Sequence, residues 1–347
     1  MSEPRRRPRK LVPGDRVAIV SPSFAAPALF PEVHEVAMET LLRELDLVPV
    51  EYPTTRQFQA SAEARARDLN DVFADPSIRA VMATIGGDDQ ITVLPRLDPT
   101  LLEHNPPAFF GYSDNTNLHL WLWRHGVSSY HGGSTQVHLA RPGGAHRAHL
   151  ASLRHALFDD GVYEIPSFAA FTDLQPDWGR PETIEHELPT TNDVGWRWHG
   201  DHSVTGVTWG GNLEILSWNL ATNRWIDEND AYDGAVLLLE TSEEMPRSEE
   251  VFRMLRNLGE RGLLERFAAI VMAKAKAWSR EQQLEPAQRD EFRQHQSDVL
   301  FQVSGLYAPD AIVVYGPDFG HTDPQLVLPY GALMTVDART RRIFAQY

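Results

Sequence analysis

Hydrophobic positions in this chain fall into short β-branched runs, separated by stretches in which they recur every three or four residues. Residues 17–21 form the first run and end in Ser-Pro-Ser. Residues 30–45 place Val33, Val36, Leu41, Leu42 and Leu45 at helical spacing, with Pro31 in the first turn, where its missing N–H costs nothing. Strands are then predicted at 48–51, 80–85 and 107–111, with helices at 61–73 and 115–125. Strands alternating with helices predict an α/β fold built on a parallel sheet covered on both faces. Ligands of such sheets gather at the carboxyl ends of the strands, where the intervening loops lie.

After a helix predicted at 146–158 the pattern changes. Residues 165–202 are rich in proline, acidic groups and tryptophan, with little periodicity, and hold Trp178, Trp196 and Trp198. A loop of this length is either a linker or a functional lid, and three tryptophans argue for a lid. Periodicity resumes with strands at 203–208, 235–240, 268–272, 311–315 and 333–337, and helices at 213–220, 248–259 and 285–300. The expected organisation is an N-terminal domain over 1–164, a Trp-rich connecting loop or lid over 165–202, and a second β/α domain over 203–347.

Composition narrows the function. The 347 residues are 42% apolar and 23% charged, ordinary for a soluble globular protein with room for two domains. A formal net charge of −16 argues against nucleic acid or an anionic membrane as the main partner, since both would repel it. The absence of cysteine excludes disulfides, thiolate metal sites and a cysteine nucleophile. No H-E-x-x-H, G-x-G-x-x-G or G-x-x-x-x-G-K-[ST] pattern occurs, so neither a metal nor an organic cofactor is expected. The arginine-rich N-terminus is followed by no long apolar run and reads as a frayed tail. No segment is long enough to span a bilayer, and a cytoplasmic protein is expected.

Ser113 carries the main candidate chemistry. It lies in Ala-Phe-Phe-Gly-Tyr-Ser-Asp-Asn-Thr, a short apolar strand, a polar turn and the start of a helix. Gly111 and Asn115 flank it where the G-x-S-x-G nucleophile elbow has small residues, although Asn115 replaces the second glycine. The ordinary role of a serine here is a helix cap. A serine nucleophile needs a base, a group that orients the base, and donors for the oxyanion. His321, on a glycine- and proline-rich loop after the strand at 311–315, is the favoured base, with His131 the runner-up. Glu240 ends an apolar run and is the favoured orienting acid, because a carboxylate buried there must be paired. Glu243 and Glu244 read as ordinary salt-bridge or helix-start residues. Gly86 and Gly87 end the strand at 80–85 and permit close approach of a ligand oxygen, either an oxyanion shared with the Asp114 amide or a phosphate.

At these residues the chain resembles the LD-carboxypeptidase family of serine peptidases, and within it the microcin C immunity-type branch. The matching stretches are Gly14-Asp-Arg-Val-Ala-Ile-Val-Ser-Pro-Ser23, Thr84-Ile-Gly-Gly87, Gly111-Tyr-Ser-Asp114, Gly210-Gly-Asn-Leu213, Leu239-Glu-Thr-Ser-Glu-Glu244 and Phe319-Gly-His-Thr-Asp-Pro324. Each is weak alone, but the ordered set spans nearly the whole chain. The resemblance implies a flavodoxin-like N-terminal domain, a smaller swivelling C-terminal domain, and commonly a homodimer. It also implies Ser113, Glu240 and His321 as catalytic residues and an oxyanion hole near Gly86, Gly87 and Asp114. Ile85 stands where muropeptide-recycling members carry arginine, which favours the immunity-type branch. The expected substrate is a small peptide or peptidyl nucleotide, with Trp178, Trp196 and Asn212 as candidate contacts; a murein tetrapeptide is the alternative. A non-catalytic binding protein using the same cleft is the reading from another class.

Overall fold

A computed structural model of the chain describes residues 3–103 and 106–347 and shows two large sheets. In the first, Val48–Glu51, Arg16–Val20, Ile78–Ala83, Ala108–Gly111 and Ser129–His131 lie side by side in parallel. The helices between them follow local rules. Ser61 caps Ala62–Ala74 by accepting the Ala64 amide, and Pro31–Leu45 stops at Asp46, which takes a left-handed conformation. The apolar face of each helix packs on the sheet, with Val33, Ala37 and Leu41 on one side and Leu69 and Val72 on the other.

The second sheet has four central parallel strands: Ser203–Asn212, Val236–Glu240, Ala269–Met272 and Ile312–Tyr315. Leu333–Asp337 and Arg342–Gln346 extend it antiparallel. Leu237, Leu239, Ile270 and Met272 face a helical layer, while Leu238, Val271 and Val314 belong to a core cluster that also holds Phe319, Met334, Trp196 and Trp198. Such continuous apolar runs mark strands buried on both sides.

The expected boundaries at 164 and 203 are crossed by three strands. Leu328–Tyr330, from late in the chain, adds antiparallel to Ser129–His131 in the first sheet. Val162–Glu164 pairs with Arg342–Gln346, and Arg197–His199 pairs with Ile312–Tyr315, both in the second sheet. Each supplies an outer strand of only 3 residues, too short to show a pattern of its own.

The basic N-terminus is not frayed. The Arg5 amide donates to the Gly331 carbonyl at 2.7 Å, its guanidinium lies 3.4 Å from the centre of the Trp123 ring, and Arg6 bridges to Val127. Charge on an aromatic face and backbone pairing together hold the segment down. The 165–202 segment is likewise tied. Asp173 meets Arg293 at 2.8 Å, and the buried Lys274 ammonium meets Asp193 at 2.6 Å and Asp318 at 2.8 Å.

Candidate functional site

Ser113 sits one residue beyond Tyr112 at the end of Ala108–Gly111, in a single helical turn that leads into Thr116–Arg124. Its φ of 61° is left-handed, a conformation that costs a non-glycine residue energy and persists only where the surroundings impose it. The imposing groups are visible. Asp114 accepts from the Gln90 amide at 2.9 Å, from Asn117 at 2.8 Å and from the Ser23 hydroxyl. Asn115 donates to the Ile85 and Tyr112 carbonyls at 3.1 Å each and accepts from Gln90 at 2.8 Å. Burial raises the Asp114 carboxyl to about 6, against the opposing pull of these donors.

The exchange of glycine for asparagine at 115 has a steric explanation. A Cβ on Gly111 would lie 2.9 Å from the Asn115 Cβ, so glycine at 111 makes room for the larger residue at 115. Across the turn, a Cβ on Gly86 would lie 2.9 Å from the Ser113 Cβ and 3.4 Å from the Asp114 nitrogen. The Ile78–Ala83 strand therefore delivers its glycine pair directly against the serine. Gly87 has a φ of 153° and packs on Ser23, where any side chain would collide.

His321 reaches the same place from the other sheet. Its Nδ1 donates to Glu240 Oε2 at 2.6 Å, and Glu240, at the end of Val236–Glu240, is fully buried. Its Nε2 lies 3.0 Å from Glu243 Oε2. Burial alone would lower the imidazole pKa, but the Glu240 and Glu243 charges outweigh it and hold it at about 10. Close packing at Gly320 allows the approach, because a Cβ there would come within 3.2 Å of the Glu240 Cβ. The Tyr112 ring, next to Ser113, lies 4.8 Å centre to centre from the His321 ring and joins the two lobes.

A cavity of about 500 Å³ opens at this junction. Ser113, Gly86, Gly87, Glu243 and His321 all line it, and Trp178 forms part of its wall. Trp178 is held edge-on to Phe30 with ring centres 5.6 Å apart. Three cations also line it: Arg141, paired with Asp323 at 2.6 Å; Arg280, 3.2 Å from Asp177; and Lys276. Lys276 is buried and donates to the His321 carbonyl at 3.2 Å.

Other expected contacts lie elsewhere. Asn212 does not line the cavity: it is buried and caps Leu213–Thr222, accepting the Ile215 amide at 3.0 Å. Trp196 also stays out of the cavity and packs beside Trp198 and Gly316. His131 is buried under Tyr112 and Phe319, and burial drives its pKa well down. Glu243, read from the sequence as an ordinary salt-bridge or helix-start residue, faces the imidazole of His321. Nothing local distinguishes it from Glu244; its place depends on a turn after Glu240 that Ser242 fixes by donating to Glu214. Among the described residues, no group of three or more His, Asp or Glu is arranged to hold a metal ion.

Comparison with known proteins agrees with the two-sheet fold. Residues 17–132 match the family described as LD-carboxypeptidase N-terminal domain, and 205–336 match the LD-carboxypeptidase C-terminal domain. The microcin C7 self-immunity protein MccF of Escherichia coli is 26% identical over 80% of this chain and 77% of its own length. A Bacillus subtilis protein named as a probable murein peptide carboxypeptidase is 24% identical over 94% of this chain and 90% of its own. The solved structure of MccF in complex with glutamyl sulfamoyl guanosine superposes with a TM-score of 0.82 at 22% identity, covering 100% of this chain and 98% of that one.

Proposed function

We propose a function from the premise that this chain belongs to the LD-carboxypeptidase family, whose two domains match it on either side of the cavity. It is a serine hydrolase that cleaves an amide bond next to a carboxyl-terminal residue. Ser113 attacks the carbonyl, His321 takes its proton, and Glu240 orients and stabilises the imidazolium. The Asp114 amide and the glycine pair at 86–87 stabilise the oxyanion, each donor lowering the barrier by about 3 kcal/mol. The observation that carries this reading is the arrival of a left-handed serine and a carboxylate-held histidine at one cavity from two different sheets.

For the substrate we favour a peptidyl or aminoacyl nucleotide. MccF binds a glutamyl sulfamoyl nucleoside, and this cavity presents Trp178 as a flat aromatic wall on which a base stacks. Arg141, Lys276 and Arg280 support a second reading. An acidic chain nevertheless gathers three cations at the cavity, where the carboxylates of a murein tetrapeptide would be received.

Parallel hydrolysis assays with an aminoacyl sulfamoyl adenylate and a murein tetrapeptide separate the two substrates. A serine-directed fluorophosphonate tests the chemistry itself. Covalent labelling at Ser113 is expected, and intact protein left unlabelled would return the cleft to a binding role.

A further inference from the structure

Both ring nitrogens of His321 face carboxylate oxygens, Nδ1 at 2.6 Å from Glu240 and Nε2 at 3.0 Å from Glu243. A carboxylate oxygen only accepts, so each nitrogen needs a proton; a bare Nε2 would set its lone pair against another. A ring protonated on both nitrogens has no site for the proton of Ser113. The geometry is therefore that of a resting state.

The two carboxylates are not equivalent. Glu240 is wholly enclosed, projects from the end of a central strand and has no room to leave. The Glu243 side chain is 47% exposed, sits in the loop between Val236–Glu240 and Ser248–Glu260, and lines the cavity that a substrate must enter. Glu240 is thus a fixed partner and Glu243 a displaceable one.

We propose that Glu243 is a positioning residue that closes the Nε2 face of His321 in the free enzyme and must swing toward solvent before that nitrogen serves Ser113. The inference rests on the hydrolase reading above. As Glu243 departs, Nε2 releases its proton to water. It then accepts the Ser113 proton as Oγ bonds to the substrate carbonyl carbon, and returns that proton to the leaving amine as the C–N bond breaks. A substrate carbonyl seated against Ser113 competes with Glu243 for the same cavity, so binding and unlocking are coupled.

Other groups around the imidazole do not fill this role. Tyr112 meets it with a tilted ring, His131 and His138 are buried with their pKa values driven down, Lys276 contacts the His321 carbonyl, and Asp323 is engaged by Arg141. Of the charged groups near the ring, Glu243 combines contact with Nε2 and a route to solvent.

The test follows the second-order rate of Ser113 labelling by an uncharged alkyl fluorophosphonate against pH, in the wild type and in Glu243→Gln. The probe has no amine, so a role for Glu243 in binding a substrate ammonium would leave its rate unmoved. The expected result is a wild-type rate that rises along a limb well above the ordinary imidazole range. In Glu243→Gln the limb should move down by at least one pH unit, with labelling at pH 7 at least tenfold faster. In Ser113→Ala protein, histidine ¹⁵N spectra at pH 7 should show both His321 nitrogens protonated, and Glu243→Gln added to that background should remove the proton from one of them. Labelling with the same midpoint in both enzymes overturns the inference and leaves the hydrolase reading standing. Failure of both to label Ser113, in folded protein, overturns both.

Discussion

Gly86 passes so close to Ser113 that a single methyl group added to it would touch that side chain, 3.0 Å from Oγ. The contact joins the ends of two neighbouring parallel strands and leaves a space next to the hydroxyl that a reacting carbonyl would enter. Gly86 is not in a left-handed conformation, so alanine is tolerated by the backbone there. Gly86→Ala is expected to lower Ser113 labelling by fluorophosphonate at least 100-fold. The crowding should cost about 1–3 kcal/mol of stability, read by denaturant titration.

Strain at Ser113 has its own signature. A left-handed residue with a side chain costs about 1–2 kcal/mol relative to a relaxed one, a cost that glycine avoids. Ser113→Gly and Ser113→Ala should both abolish the covalent adduct. The glycine variant should unfold at the higher temperature of the two, by calorimetry, although glycine is ordinarily the more costly residue to order.

The buried Glu240 carboxylate holds the imidazole by Nδ1. Glu240→Gln keeps its shape but loses the charge that stabilises imidazolium and selects the productive tautomer. On the pattern of serine triads, turnover should fall by about 10⁴-fold, with KM changing far less. Steady-state kinetics on the cleaved substrate provides the check.

The imidazole also links stability to pH. Its folded pKa of about 10 lies above the ordinary value of 6.5, so the folded state holds the proton more tightly than the unfolded chain. The resulting stabilisation is fully present below about 6.5 and is lost as pH rises through about 10. Thermal unfolding midpoints should therefore decline across that interval. His321→Gln should show a flatter decline over the same range.

Trp178 and Trp196 should separate function from packing. Trp178 lines the cavity and Trp196 does not. Trp178→Ala should weaken binding of an adenylate analogue by roughly tenfold or more, the worth of one base stacked on an aromatic ring, as measured by calorimetric titration. Trp196→Ala should leave that affinity intact and lower the unfolding temperature instead, because Trp196 packs against the core beside Gly316.

Much of this architecture is legible in the residue pattern. Val48–Glu51 and Leu333–Asp337 fall where alternation and β-branching put them, and Ser61 and His146 stand at the starts of their helices as capping residues. Ser113, Glu240 and His321 are also marked locally, each closing or following a short apolar strand. Burying such a strand on both faces leaves its terminal polar residue at the sheet edge. The helix expected to end at 300 instead runs to Tyr307, since its last turns pack Val303 and Ser304 under the second sheet.

The rest belongs to tertiary structure. Whether Glu243 or Glu244 meets the imidazole, whether Trp178 or Trp196 faces the cavity, and how Arg141, Lys276 and Arg280 converge in an acidic chain depend on distances between segments far apart in the sequence. The run of side chains along one strand or helix determined each element and the polar residue at its tip. Only the docking of two sheets, through strands exchanged from the middle and the end of the chain, decided which of those tips share a cavity, because contact depends on the packed geometry of distant layers and leaves no periodicity in either one.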